Sequence, residues 1–308
     1  MPPKRRLANV SVQATYLAYR AARKTLQTFG LLKVIRGSLS PLIGRFACRL
    51  SSRSGEPQLI HGDRMYLAPP GCYPPLALLA DRYEGQTTRL FQALLKPGMR
   101  VIDVGAHVGY YTLLAARLVG SEGKVYAFEP EPRNYELLVK NVQLNDYRNV
   151  VMHTEALSDR LGEAELFLSA LDTARHSIFR NEVTKGRRIP VRTVTVDAFV
   201  EQEGWPQIDL LKIDVEGGET RVLAGMAGLV ARKKLSNLVI ELAPRELEAA
   251  GVSPSVLLEK LRSFAFRIHV VMPEGPVALE RIEVDGLVKR LRKEGHFVNL
   301  FCVPVSAS

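Results

Sequence analysis

From Arg100 onward the chain alternates between short apolar runs and longer stretches of helical periodicity. The runs are Val101-Ile102-Asp103-Val104, Val125-Tyr126-Ala127-Phe128, Val150-Val151-Met152, and residues 208–213 and 238–242; helical spacing fills 111–118, 133–144, 222–233 and 253–264. Near-continuous apolar strands separated by helices require a parallel sheet covered on both faces, because a parallel neighbour is reached only through a crossover. Two runs in an insertion, 164–167 and 191–194, predict extra strands or a hairpin over the crevice. Residues 267–271 and 297–303 predict two closing strands joined by a long charged loop.

The first run closes on Asp103-Val104-Gly105-Ala106-His107-Val108-Gly109. Glycines at 105 and 109 let the turn pass beneath a ligand and the next helix approach the sheet, at the strand ends where such sheets bind ligands. The spacing D-x-G-x-x-x-G differs from the G-x-G-x-x-G that cradles a pyrophosphate. It therefore favours a nucleotide-like cofactor without one, and disfavours an NAD-dependent oxidoreductase. The second run closes on Phe128-Glu129-Pro130, which sets Glu129 where ribose hydroxyls are held in folds of this type. After the third comes Glu155-Ala156-Leu157-Ser158-Asp159, with Glu155 and Ala156 placed to meet an adenine edge. Together with Asp214, after the fourth run, the expected cofactor set is Asp103, Gly105, Ala106, Gly109, Glu129, Glu155 and Ala156.

The fourth run continues into Leu211-Lys212-Ile213-Asp214-Val215-Glu216-Gly217-Gly218-Glu219. This resembles LKIDVEGxE, the hallmark of the FkbM family within the class I methyltransferases that depend on S-adenosylmethionine. Residues 103–109, 128–130, 156–159, 194–197 and 299–304 also match, so the resemblance covers about 100–304, fades through 273–296 and leaves out the first fifty residues. His107 departs from the family, which more often has Asn there. The resemblance implies an α/β, Rossmann-like sheet of about seven strands, mostly parallel with an antiparallel edge strand and helices on both faces. It also implies S-adenosylmethionine as cofactor, and methyl transfer to a hydroxyl of a sugar, glycan, polyketide or similar small acceptor.

In an extended strand Lys212, Asp214 and Glu216 share parity and are expected on one face, with Leu211, Ile213 and Val215 on the other. Asp214 and Glu216 are expected to line the acceptor side, one as general base or orienter, with Lys212 paired to a neighbouring acid and Glu241 reaching the same crevice from the fifth run. The alternative for these carboxylates is a network of ion pairs and helix caps, Glu219 standing where a helix N-terminus favours an acid. His176 and Ser177, in the insertion, are expected either to touch the acceptor or to lie on a solvated loop. No compact spacing such as HxxxH or DxD occurs, so no metal is expected.

Charge divides the chain sharply. Residues 1–55 hold eleven Lys and Arg and no acid, leaving 31 of the 42 basic residues against all 32 acids in the remainder. A near-neutral body argues against a nucleic-acid groove, and the N/D-P-P-Y/F segment of base-methylating enzymes is absent after the fourth run. Within the arm, Leu7, Val10, Ala14, Leu17, Ala18 and Ala21 recur at helical spacing with Arg20, Arg23, Lys24 and Gln27 on the other side. Such a basic amphipathic helix fits a cover on the main domain, an organelle presequence, or an anionic membrane surface, where each Lys or Arg contributes about 1 kcal/mol. The expected organisation is this extension over 1–55, a cover or linker over 56–99, and the methyltransferase domain over 100–308. Cys48, Cys72 and Cys302 lack any zinc or disulfide spacing and read as reduced thiols of a cytoplasmic protein. The non-enzyme alternative, a SAM-binding scaffold held at a membrane, is opposed by the intact acids at 214, 216, 219 and 241.

Overall fold

A computed structural model describes residues 57–67, 84–169, 176–179 and 187–305. The basic arm, Cys48, Cys72 and the Pro-rich stretch 69–75 lie outside the described residues. The chain divides into two compact units, Met1–Gly85 and Gln86–Ser308. In the first, β1 (Gln58–Ile60) and β2 (Asp63–Met65) form an antiparallel hairpin. Its two-residue turn holds His61 at φ 48° and Gly62 at φ 100°, the left-handed pair that matches the twist of a tight hairpin.

The second unit runs α1 (Gly85–Leu94), β3 (Arg100–Val104), α2 (Tyr110–Val119), β4 (Lys124–Phe128), α3 (Pro132–Leu144), β5 (Val150–His153), β6 (Ala156–Leu157), β7 (Gly162–Phe167), β8 (Arg188–Val194), α4 (Val196–Gln202), β9 (Leu210–Ile213). It continues through α5 (Glu219–Ala224), α6 (Ala227–Ala231), β10 (Leu238–Leu242), α7 (Pro244–Ala249), α8 (Pro254–Ser263), β11 (Phe266–Met272), β12 (Gly275–Ala278), a 3-10 turn, α9 (Val284–Glu294) and β13 (Val298–Pro304). The main sheet has the order β12-β11-β13-β10-β9-β3-β4-β5. From β5 to β10 all neighbours are parallel, and β13 inserts antiparallel between β10 and β11. The expected parallel sheet with antiparallel closing strands is therefore present, extended to eight strands by β12. Every residue of β9 and β10 is buried, and since alternate side chains point to opposite faces, both faces are covered.

Strand order reverses between β3 and β9, so the crevice of this fold opens at their carboxyl ends. Val104 pairs with Ile213, and Gly105 and Asp214 leave the sheet side by side. The insertion forms a separate three-stranded sheet, β6-β8-β7, in which β7 and β8 are the expected antiparallel pair.

Two expectations need correction. The single helix over 222–233 is two: Gly225 sits where a Cβ would lie 2.1 Å from the Ser158 carbonyl oxygen, and α6 restarts after it. Its N-terminus is capped from another element, Asp197 accepting from the amides of Gly228 (2.7 Å) and Leu229 (2.8 Å). The supposed charged loop before β13 carries β12 and α9, which is anchored on the buried pair Leu287 and Leu291, capped by Glu283 and stopped at Gly295 with φ 64°.

Candidate active site

The loop after β3 is folded back by two backbone bonds, the amides of Gly105 and Ala106 both donating to the Phe128 carbonyl at 3.0 Å. Gly105 has φ 80°, and a Cβ there would stand 1.9 Å from the Asp214 carbonyl oxygen; only glycine lets the β3 and β9 loops approach this closely. His107 follows at φ 51°, and its amide donates to Glu129 Oε2 at 2.8 Å. The other oxygen of Glu129 accepts from the Glu131 amide (3.0 Å) and Asn134 Nδ2 (3.4 Å). Glu129 is thus aimed by three donors at the end of β4, and burial pushes its carboxyl up to about 7.

Gly105, Glu129, Glu155, Ala156 and Asp214 line one cleft. Asp103, Ala106 and Gly109, of the same expected set, shape the loop from beneath. Asp103 is buried, accepts from Thr112 Oγ1 at 2.6 Å and lies 3.8 Å from Lys212 Nζ; burial raises its carboxyl pKa against the pull of Lys212 and Thr112. Gly109, at φ 96°, brings α2 against Leu138 of α3.

Lys212 donates to Asp214 Oδ2 at 3.0 Å and is buried with its ammonium 4.9 Å over the Tyr111 ring, which confirms its pairing with acids. The shared parity of 212, 214 and 216 does not hold. β9 ends at Ile213, and Glu216 stands in a turn at φ 53°, followed by Gly217 at φ 102°. The cause lies in Glu219, whose Oε1 accepts from the amides of Val215 and Gly217, both at 3.2 Å, and curls the chain at the start of α5. Glu219 is fully buried, its Oε2 has no partner, and burial pushes its carboxyl up to about 7. The turn nevertheless brings Glu216 beside its neighbours: carboxylate oxygens of Asp214, Glu216 and Glu241 all lie within 4.8 Å of one another. No linear spacing signals this trio, because its members come from the ends of two strands and a turn.

A supporting layer was not legible in the sequence. Glu241 pairs in register with Asn299 on β13, whose Nδ2 donates to Thr87 Oγ1 at 2.9 Å, while the Thr88 and Tyr110 hydroxyls share a 2.8 Å hydrogen bond. The first turn of α1 is thereby fixed against the ends of β13 and α2. The faint signal was two adjacent threonines opening an otherwise amphipathic helix.

His176, Ser177 and Ile178 form another wall of the cleft. Ser177 bridges to Phe167 through two backbone bonds, its hydroxyl donates to the Glu216 carbonyl (2.7 Å) and accepts from the Phe179 amide (3.1 Å), and Arg221 lies 4.8 Å over the Phe179 ring. His107 and His176 are both pushed down to about 4, burial being the main cause, so both rings are neutral at neutral pH.

The donor set suits S-adenosylmethionine. A carboxylate aimed by backbone amides fits a ribose diol, and Ala156 and Leu157 offer an apolar wall that fits adenine. Comparison with known proteins agrees in kind. The Methyltransferase FkbM domain matches residues 103–268. Methyltransferase sdnD of Sordaria araneosa is 26% identical over 51% of this chain and 69% of its own length. Hexuronic acid methyltransferase AglP of Haloferax volcanii is 26% identical over 49% of this chain and 56% of its own. A SAM-dependent O-methyltransferase structure from Thermotoga maritima aligns over 73% of this chain and 67% of its own, at 18% identity and a TM-score of 0.42.

Proposed function

The chain belongs to the FkbM methyltransferase family, and from that premise we propose that it transfers methyl from S-adenosylmethionine to a hydroxyl oxygen of a small acceptor, with a sugar or glycan as the leading class. The cofactor supplies a methyl already activated on sulfonium. What the chain must add is alignment of the acceptor oxygen and removal of its proton. Glu129 holds the ribose, Glu155 and Ala156 border the adenine, and the bare backbone at Gly105 leaves room between them. Asp214 and Glu216 face the acceptor, one taking the hydroxyl proton and the other orienting it; buried Lys212 fixes the position of the Asp214 carboxylate through a 3.0 Å ion pair. Glu241 extends the same group of acceptor oxygens.

The observation that carries this reading is the convergence of Asp214, Glu216 and Glu241 within 4.8 Å beside a cleft that also contains Glu129. Three carboxylates accept protons and repel anions, so they suit a nucleophile that arrives as a neutral hydroxyl. The relative named for hexuronic acid supports a sugar ring as the acceptor, while the three carboxylates favour a neutral sugar over a uronate for this chain. The test is transfer of labelled methyl to a panel of glycosides, phenols and amines, with the product bond assigned by NMR. An ether methyl is expected; methyl found on nitrogen or carbon contradicts the proposal.

A further inference from the structure

The ring of His176 is held in one tautomer by the backbone. The Ser169 amide donates to His176 Nδ1 at 2.9 Å, so that nitrogen is the acceptor and, in the neutral ring, the proton sits on Nε2. Neutrality follows from burial, which pushes the ring down to about 4. The residue is not loose, since the next one, Ser177, is tied to Phe167 on one side and to the Glu216 carbonyl on the other. His176 therefore brings one fixed N–H to the wall of the cleft that also holds Asp214 and Glu216.

The charges around it are one-sided. Among the described residues lining the cleft, Glu129, Glu155, Asp214 and Glu216 are acidic and none is Lys or Arg. Lys212, just beneath, is divided between Asp103 and Asp214. An anionic acceptor would meet these carboxylates at short range, and the described cations beside them, Lys212 and Arg192, are already paired with Asp214 and Glu155. A neutral polyol meets what it needs, carboxylates that accept from its hydroxyls and one donor for an oxygen lone pair. We infer that His176 Nε2–H donates to a second oxygen of the acceptor, adjacent to the hydroxyl that is methylated, and that the acceptor class is a neutral vicinal diol. His176 is then a specificity residue. Proton removal stays with the carboxylates, because a ring whose Nδ1 is occupied and whose Nε2 is protonated has no base to offer. This inference rests on the O-methylation reading.

The test pairs a change in the protein with a change in the probe. The full chain and its His176→Phe and His176→Gln variants would be given labelled S-adenosylmethionine with methyl glucoside, its 2-deoxy and 3-deoxy counterparts, and methyl glucuronoside. For the wild type, removing the hydroxyl beside the methylated one should lower kcat/KM by about tenfold to a hundredfold. His176→Phe should lower kcat/KM for the diol by a similar factor and leave the deoxy probe unchanged; His176→Gln, which keeps an acceptor and a donor, should recover part of the loss. Equal losses on both probes, or a preference for the glucuronoside, overturns the inference. Ether methylation of the deoxy probe at the full wild-type rate also overturns it, while leaving O-methylation standing; methyl on the uronate carboxyl, an ester cleaved by base, would instead contradict the O-methylation of a hydroxyl. A second readout needs no acceptor: nitrogen-15 NMR of the wild-type ring at pH 7 should show neutral His176 protonated at Nε2, and protonation at Nδ1 would refute the role.

Discussion

Glu219 and Glu129 are two buried carboxylates of different kinds, and their pH behaviour separates them. Glu219 is held in the folded protein with a pKa of about 7 against an ordinary 4.5. The folded chain keeps its proton up to about pH 7 while the unfolded chain releases it near 4.5, so the stability it confers is full below 4.5 and is lost as pH rises through 7. Glu219→Gln keeps an oxygen for the Val215 and Gly217 amides and places the amide group on the unpartnered side. Thermal melts should show the variant gaining on the wild type between pH 5 and pH 8, by about 3 kcal/mol at most; parallel pH profiles would contradict the assignment. Glu129 is the carboxylate we propose to meet the cofactor ribose. Cofactor hydroxyls that donate to it favour the ionised form, so affinity for S-adenosylhomocysteine should fall from pH 8 to pH 6, and Glu129→Ala should bind more weakly with a flat profile in calorimetry. The sequence announced Glu129, because a strand-terminal acid after an apolar run is a local pattern. It grouped Glu216 with Asp214 by a parity that does not hold, since parity assumed a strand that Glu219 ends early. It was silent on Thr87 and Asn299, whose partnership joins residues far apart in the chain.

Among elements, the loop joining β3 to α2 is the one whose shape the site depends on most. Gly105 and Gly98 both have positive φ, 80° and 85°, but a Cβ at Gly98 meets nothing within 4 Å whereas one at Gly105 strikes the Asp214 carbonyl. Gly98→Ala should cost about 1 kcal/mol from the backbone alone and leave S-adenosylhomocysteine affinity intact. Gly105→Ala should cost more in denaturant unfolding and weaken binding at least tenfold, since the β3 and β9 loops must separate; equal effects of the two would show that loop contact is not what glycine provides. The parallel strands and their helices were legible because their periodicity is local. The break between α5 and α6 was not, because it is made by Ser158 and Asp197 from elsewhere in the chain. Nor was α9, where two buried leucines in a strongly charged helix give too narrow an apolar stripe to distinguish from a loop.

At the scale of the molecule, no helix among the described residues is long and apolar enough to cross a membrane. What remains is the division of charge, eleven basic residues and no acid in 1–55 against a nearly balanced remainder. On that charge we propose peripheral attachment of the arm to anionic lipid. The full chain should sediment with phosphatidylserine vesicles and release with salt, and a chain beginning at Glu56 should stay in the supernatant; equal sedimentation of both would refute it.

The division of the cleft into a cofactor half and a transfer half is tested most directly by measuring two quantities on the same variants, S-adenosylhomocysteine affinity and methyl transfer at saturating S-adenosylmethionine. Glu129→Ala should lose about 1–3 kcal/mol of cofactor affinity and keep part of its transfer rate. Asp214→Asn and Glu216→Gln should bind the cofactor within about threefold of wild type, and the one that serves as base should transfer methyl about a hundredfold more slowly or worse. If both β9-loop variants lose cofactor affinity and turn over normally at saturation, those carboxylates serve the cofactor and the division is wrong.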